Sequence, residues 1–351
     1  MVTVIVPAHN EEAGIEEALA SVERQMDVPE ALHIWRGIVM CDNCTDSTAE
    51  IAKRRGWIVW HSVDNEHKKA GALNQAWERL QPMLSDDDYL FVMDADSHLD
   101  EGFMAAALAK HEDNYGGVGG TFTGREGGGF VGMLQRNEYT RYMRETRNKK
   151  GKVMVLTGTA TLFRVDALRA VVAARHEGVL PFGTGSLYDT DVLTEDNELS
   201  LALRTLGYRI VSPKECTLTT EVMETWSDLA KQRLRWKRGA VENCRQYGLT
   251  SVTKEYWWRQ FLSLLGIIVT TAYLSSLAAT VIIDGGLQFH LVWIVITFIF
   301  MAERVVSVRK RGVKQMVLAS LLIVEMCFDV FLQAVQARAF WQAIRGSAKA
   351  W

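Results

Sequence analysis

Residues 260–283 run for 24 positions without an Asp, Glu, Lys or Arg, and residues 285–302 run for another 18. Roughly 20 apolar residues suffice for a helix to cross the hydrocarbon layer of a bilayer. The stretch therefore reads as a helical hairpin turning at Asp284-Gly285-Gly286. A third segment, residues 316–337, is mostly apolar but carries Glu325 and Asp329. Those acids either face protein within a third crossing or mark a helix lying partly in the interface. Arg304, Arg309, Lys310, Arg311 and Lys314 follow the second stretch, whereas the turn at Asp284 has no basic residue. That asymmetry puts the basic loop on the cytoplasmic side of a membrane. Arg338, Arg345 and Lys349 argue against a third full crossing. The expectation is a membrane region over 248–351, with helices near 260–283, 285–303 and 316–337, two or three of which cross.

Upstream of Trp258 the chain mixes charged and apolar residues as a soluble domain does. Residues 2–6, 34–40, 57–61 and 89–93 are β-rich runs, and residues 11–25, 45–55 and 70–81 between them are helical in composition. Strands alternating with helices imply βαβ units and a parallel sheet, whose ligands bind beyond the carboxyl ends of the strands. From residue 116 to 208 the pattern loosens into Gly-rich stretches beside an arginine-rich helical segment, 130–147. Helix resumes at 197–206, with short strands at 209–212 and 217–220. A basic helix over 226–247 closes a first domain, 1–247, and is read as an interfacial element.

A net charge of -3 gives no basis for a nucleic-acid partner. Five scattered cysteines suit a reducing compartment. Cys41 and Cys44 form a C-x-x-C pair without a second pair at zinc spacing. The apolar run at the amino terminus turns polar at His9, too short for a signal-peptide core, so export of this domain is not expected.

Three motifs carry chemistry. Asp94-Ala95-Asp96 follows the strand run 89–93 directly. Paired carboxylates at a strand end suit Mg²⁺ or Mn²⁺ shared with a diphosphate, although D-x-D also occurs in plain surface turns. Thr194-Glu195-Asp196 precedes a helical run. It reads either as an N-cap with acids in the first turn or as a general base, Asp196, with Glu195 beside it. Gln232-Arg233-Leu234-Arg235-Trp236 lies on the basic helix. There Arg grips diphosphate and Trp offers a flat face to a sugar, or the helix lies on anionic lipid.

In order along the chain stand P-A-x-N-E (Pro7 to Glu11), D-N-C-T-D (Asp42 to Asp46), K-A-G-A-L-N (Lys69 to Asn74), D-A-D, T-E-D and Q-x-x-R-W. This series resembles the family 2 glycosyltransferases, in particular the cellulose, chitin and hyaluronan synthase branch, over two-thirds of the chain. The resemblance implies a GT-A fold, an α/β nucleotide-sugar-binding domain with a Rossmann-like mixed sheet, and inversion at the anomeric carbon in one displacement. It implies that Pro7, His9, Glu11 and Asp42 line a nucleoside pocket and that Lys69 approaches the donor phosphates. Asp94 would touch the donor and Asp96 the metal. Asp196 would be the base, with Gln232, Arg235 and Trp236 closing over diphosphate and acceptor. Gly158 and Thr159 would lie on the acceptor side. A uridine-based donor is expected by the same analogy.

Two departures bear on the product. Glu221-Val222-Met223 stands where relatives often have a proline-containing turn. Large synthases also place helices before the catalytic domain and more of them after it. The expectation is therefore a nonprocessive transferase acting on a lipid, glycan or protein acceptor at the cytoplasmic membrane, in contact with membrane lipids. A processive polysaccharide synthase, with a homo-oligomer restoring a pore, is the alternative. An inactive membrane-bound scaffold would not need both acids of D-x-D, Asp196 and Q-x-x-R-W together. A nucleotidyltransferase would show a Gly-rich basic loop that the amino terminus lacks.

Overall fold

The computed structural model describes residues 1–26, 34–110, 115–286 and 291–347. The first half-domain runs β1 (Val2–Ala8), α1 (Ile15–Glu23), β2 (Ile34–Cys41), α2 (Thr48–Arg54), β3 (Ile58–His61), α3 (Lys68–Leu80) and β4 (Tyr89–Met93). Next come β5 (His98–Leu99), α4 (Phe103–Leu108), β6 (Tyr115–Gly119), β7 (Thr121–Gly124), α5 (Gly129–Asn148), β8 (Ala160–Arg164) and α6 (Val165–His176). The domain closes with α7 (Glu195–Thr205), β9 (Arg209–Val211), β10 (Thr217–Thr220) and α8 (Trp226–Tyr247). Four helices follow: α9 (Lys254–Asp284), α10 (Leu291–Val308), α11 (Val313–Ser320) and α12 (Leu322–Arg345).

Seven strands form one sheet in the order β3-β2-β1-β4-β8-β6-β9. Neighbours pair in parallel except β8, which runs antiparallel to both β4 and β6. This is the mixed α/β sheet of the expected GT-A fold. A small second sheet pairs β10 with β5 and β7. Both faces of the large sheet are covered, which is why its strands read as continuous apolar runs rather than alternating ones. Ile5, Ile38 and Leu90 point into one core with Leu73, Trp77 and Leu168. Val4, Val6 and Phe91 point into the other with Ile15, Leu19 and Phe103. Burying each such side chain contributes about 1.5–3 kcal/mol.

The reversal at β8 matters for the site. Met93 at the carboxyl end of β4 pairs with Ala160 at the start of β8, and the Asp94 amide donates to the Thr159 carbonyl at 2.9 Å. The turn entering β8 thereby reaches the same sheet edge as the acids leaving β4.

The structure departs from the sequence reading in the helices. α1 starts at Ile15, because residues 11–14 form a turn that leaves Glu11 at the sheet edge. α6 falls where no helix was expected. Among the described residues one helix, spanning Lys254–Ile283, is long and apolar enough to cross a membrane, with mean hydropathy 1.9 and none of its apolar window buried. Most of the expected second helix, 285–303, falls in α10, 18 residues long, with residues 287–290 outside the described set. The carboxyl-terminal turns of α10 turn inward: Arg144 of α5 pairs with Glu303 at 3.0 Å, and Arg304 binds α12.

The expected helix 316–337 is divided at Leu321 into α11 and α12, bent by 77°, a second candidate only if the pair counts as one broken span. Its acids face protein, one of the two readings open above. Glu325 is buried between Arg141 at 3.0 Å and Arg304 at 2.7 Å, and Arg304 also reaches Asp329 at 2.5 Å. α8 differs from an interfacial helix as well. It packs between α7 and α12, with Arg233 and Arg238 buried against Glu138 and Glu242 at 2.8 and 2.6 Å. Those guanidiniums serve protein carboxylates rather than a lipid surface.

Candidate active site

A cleft of about 1000 Å³ opens at the carboxyl edge of the large sheet, at the upper end of the range that ligand pockets occupy. Its floor is made by Pro7 near the end of β1, His9 and Glu11 after β1, Asp42 after β2, Lys69 at the start of α3, and Asp94 and Asp96 after β4. Each of these side chains leaves a strand end or a helix start, where a parallel sheet presents ligand-binding groups.

The end of the cleft beside β1 and β2 is held rigid by short polar side chains. Asp42 Oδ1 accepts from Ser62 Oγ at 2.8 Å and Asn65 Nδ2 at 2.7 Å. Asn65 also donates to the Lys68 carbonyl at 2.7 Å, which fixes the loop before α3. Gly71 admits this packing: a Cβ there would lie 2.0 Å from Asn65 Oδ1. His9 Nδ1 lies 2.6 Å from the Asp42 carbonyl oxygen, tying the ends of β1 and β2 together.

At the centre one ammonium meets three carboxylates. Lys69 Nζ lies 2.5 Å from Asp94 Oδ1 and 3.3 Å from Glu195 Oε1. Burial opposes the charge on Lys69, but Asp94, Glu195 and Asp196 together lift its pKa above the ordinary lysine value. The carboxylates share this single cation unequally. Burial raises Asp94 to about 6 despite Lys69. Burial works on Glu195 too, yet Lys69, backbone hydrogen bonding and Arg235 hold it below the usual value. Asp196 is raised to about 6, first by burial and then by the neighbouring Glu195.

Asp196 is also tightly oriented. Its Oδ2 accepts from the Gly158 amide at 2.8 Å and its Oδ1 from the Asn197 amide at 2.8 Å. Thr194 does not cap α7 with its side chain; its Oγ1 accepts from Asn243 of α8 at 3.1 Å. Gly239 on α8 makes that approach feasible, since a Cβ would lie 2.4 Å from Thr194 Oγ1. The T-E-D segment is thus anchored from α8, which leaves Glu195 on the cleft and Asp196 on a smaller void beside it rather than on the cleft itself.

A negative field builds up beside Asp96. Burial pushes its carboxyl up, with Glu221 adding to the effect, while Ser97 Oγ donates to Oδ1 at 3.0 Å. Glu11 is pushed up to about 7 by burial and by Asp96, Glu221, Asp94 and Asp46. Among the described residues no three His, Cys, Asp or Glu side chains stand ready to hold a metal ion by themselves. A hard divalent cation nevertheless fits. Mg²⁺ takes one or two carboxylates and completes its shell with phosphate oxygens and water, and carboxyls raised by burial and by one another's charge gain a neutralising partner.

The far wall comes from α8 and α12. Gln232, Arg235 and Arg238 line the cleft from α8; Val335, Arg338 and Gln342 line it from α12. Trp236 is not among the lining residues; its ring faces the buried Arg233 guanidinium at 4.4 Å. Gly158 and Asp196 line a smaller void that also touches Lys69, and the Thr159 hydroxyl pairs with Thr157 at 3.0 Å. Sequence reasoning missed Asn65, Arg238, Arg338 and Gln342. Asn65 stands four residues before the K-A-G motif and Arg238 two past Q-x-x-R-W, whereas nothing local marks the α12 residues.

A mixed sheet with a nucleotide-sized, acid-lined cleft at its strand ends defines the GT-A class of nucleotide-sugar transferases. The chain belongs to the family 2 glycosyltransferases: residues 3–172 match the model of Glycosyl transferase family 2 and residues 89–306 that of Glycosyl transferase family group 2. It is similar to the poly-beta-1,6-N-acetyl-D-glucosamine synthase of Staphylococcus aureus strain COL, 27% identical over 287 residues, 78% of this chain and 64% of that protein. The synthase of the same name from Staphylococcus epidermidis is 26% identical over 293 residues, 80% and 65% of the two chains. The chain thus spans less than two-thirds of the length of these relatives. Among solved structures, the mannosyltransferase PcManGT from Pyrobaculum calidifontis, in complex with GDP-Man and Mn²⁺, superposes with a TM-score of 0.64 at 18% identity, covering 99% of this chain and 88% of that one. That likeness establishes the shared fold.

Proposed function

We propose that this glycosyltransferase is a membrane-bound polysaccharide synthase that extends a β-linked N-acetylhexosamine chain from a nucleotide-sugar donor. The observation that carries this reading is the similarity to the two staphylococcal synthases over 78% and 80% of the chain, more than residues 1–247 alone would supply. It favours repeated transfer over the single transfer expected from the small number of helices.

In this reading residues 1–247 are catalytic and residues 248–351 hold the chain at the membrane. Pro7, His9, Glu11 and Asp42 receive the nucleoside, and Lys69 and Asp94 orient the donor. Asp96, with Asp94, holds Mn²⁺ or Mg²⁺, which when bound neutralises charge developing on the departing diphosphate. Gln232 and Arg235 clamp the same phosphates by charge-assisted hydrogen bonds. Asp196 takes the proton from the acceptor hydroxyl as its oxygen attacks the anomeric carbon from the face opposite the diphosphate, so the centre inverts. A base pKa of about 6 suits this work near neutral pH. Glu195 keeps Lys69 in place, while Gly158 and Thr159 border the acceptor path. α9 crosses the bilayer and leaves the catalytic domain at its cytoplasmic face.

The test is the product made by the full chain, reconstituted in lipid, from UDP-N-acetylglucosamine with Mn²⁺. A ladder reaching long chains at low donor conversion, digested by a β-hexosaminidase, supports the reading. Addition of one sugar per acceptor would return the protein to the nonprocessive class.

A further inference from the structure

Away from the donor cleft a second cavity, of about 270 Å³, opens between β7, α5 and the turn after α10. Its wall carries Arg144 and Arg147 of α5, Lys214, and the run Arg309, Lys310 and Arg311. Three of these cations have carboxylate partners: Arg144 with Glu303 at 3.0 Å, Arg311 with Glu126 at 2.9 Å and Lys214 with Glu215 at 3.7 Å. All three carboxylates are more than half exposed, where water screens them. Arg147, Arg309 and Lys310 form no ion pair among the described residues. The cavity therefore keeps a net positive potential that an anion would relieve.

The same cavity is continuous with apolar surface. Val306 lines it and is 47% exposed, and on the same helix Phe298, Ile299 and Phe300 are 59%, 63% and 61% exposed. A ligand with an anionic head and apolar tails matches both parts: phosphate against the guanidiniums, bidentate where an arginine permits, and acyl chains along α10. A soluble anion would use only the first.

We propose that this cavity binds the phosphate of an anionic phospholipid headgroup, seating the helices after the catalytic domain on a charged leaflet. The proposal rests on the membrane-bound reading above and assigns it a specific lipid chemistry. Juxtamembrane cations of this kind favour anionic lipid, and here the fold gathers them into a built cavity from α5, Lys214 and the turn after α10.

The experiment uses the full chain in neutral detergent. Short-chain phosphatidylglycerol, phosphatidylcholine of equal chain length and inorganic phosphate at matched ionic strength are titrated, with binding read by intrinsic tryptophan fluorescence. Saturable binding of phosphatidylglycerol is expected, weakened roughly thirtyfold in the Arg309→Gln/Lys310→Gln double variant, which loses two such charges. Lys314→Gln, a charge loss outside the cavity, should leave binding unchanged. Equal binding of phosphate alone would assign the site to a free anion and overturn the lipid assignment. Equal binding of phosphatidylcholine, or equal weakening by Lys314→Gln, would also overturn it. Flotation with vesicles of pure phosphatidylcholine separately checks membrane insertion, so loss of the membrane reading is distinguishable from loss of the headgroup site.

Discussion

Asp196 Oδ2 accepts a hydrogen bond from the Gly158 amide at 2.8 Å, joining the first turn of α7 to the turn that enters β8. A Cβ on Gly158 would lie 3.1 Å from that oxygen and 3.2 Å from Lys69 Nζ. Gly158→Ala is therefore expected to push the base and the lysine apart by a few tenths of an ångström without unfolding the sheet. Turnover should fall about tenfold, since displacements of about 1 Å cost about a hundredfold, while the melting temperature stays near wild type. Steady-state rates beside a thermal melt check this.

The pH profile should follow the same carboxylate. A base works in its deprotonated form, and Asp196 is raised to about 6, so kcat should fall as pH drops through about 6. Lys69 is the cation that restrains the rise of both Asp94 and Asp196. Lys69→Met should thus move the acid limb to higher pH, with part of the lost rate returning as pH is raised. A limb left in place in the variant would separate Lys69 from the base.

Donor binding should depend on a divalent cation. Chelation, or Asp96→Ala, is expected to abolish nucleotide-sugar binding, measured by calorimetry with and without Mn²⁺. Undiminished binding in both cases would remove Asp96 from the metal.

Much of the catalytic half was legible because its acids follow apolar strands directly. Asp94 after residues 89–93 needs only local reading, whereas Asp42 follows from the family resemblance; both line the cleft. The membrane half was less legible, because its apolar segments can meet protein or lipid. Residues 316–337 read either as a span with its acids against protein or as an interfacial helix. Glu325 and Asp329 do face protein, at Arg141 and Arg304, but nothing in the sequence marked Val335, Arg338 and Gln342 as a wall of the large cleft. α8 read as an interfacial helix for its arginines; Arg238 finds Glu242 one turn on in the same helix, but the Glu138 partner of Arg233 lies on α5, where only tertiary packing brings it. The strands β6 and β7 were obscured by glycines. Gly117 is there because a Cβ would lie 2.6 Å from Leu156, a contact 39 residues away in sequence.

The Glu325 network links α5, α10 and α12, and α12 carries the outer wall of the cleft. Glu325→Ala leaves Arg141 without its carboxylate partner while Arg304 keeps only Asp329, and breaking a buried pair in this way costs up to about 3–5 kcal/mol. A lowered melting temperature with weakened donor binding is expected. Restored stability on combining it with Arg141→Met would tie the loss to the unpaired charge.

The measurement that most directly tests the account is nucleotide release from a UDP-sugar by wild-type protein and by Asp196→Asn, with Mn²⁺ and acceptor present and donor binding measured in parallel. The account predicts metal-dependent release by the wild type. In the variant it predicts near-normal donor binding and a rate lower by about 10² to 10⁴. Release at the wild-type rate from Asp196→Asn would contradict it, because the proton would then leave the acceptor by another group.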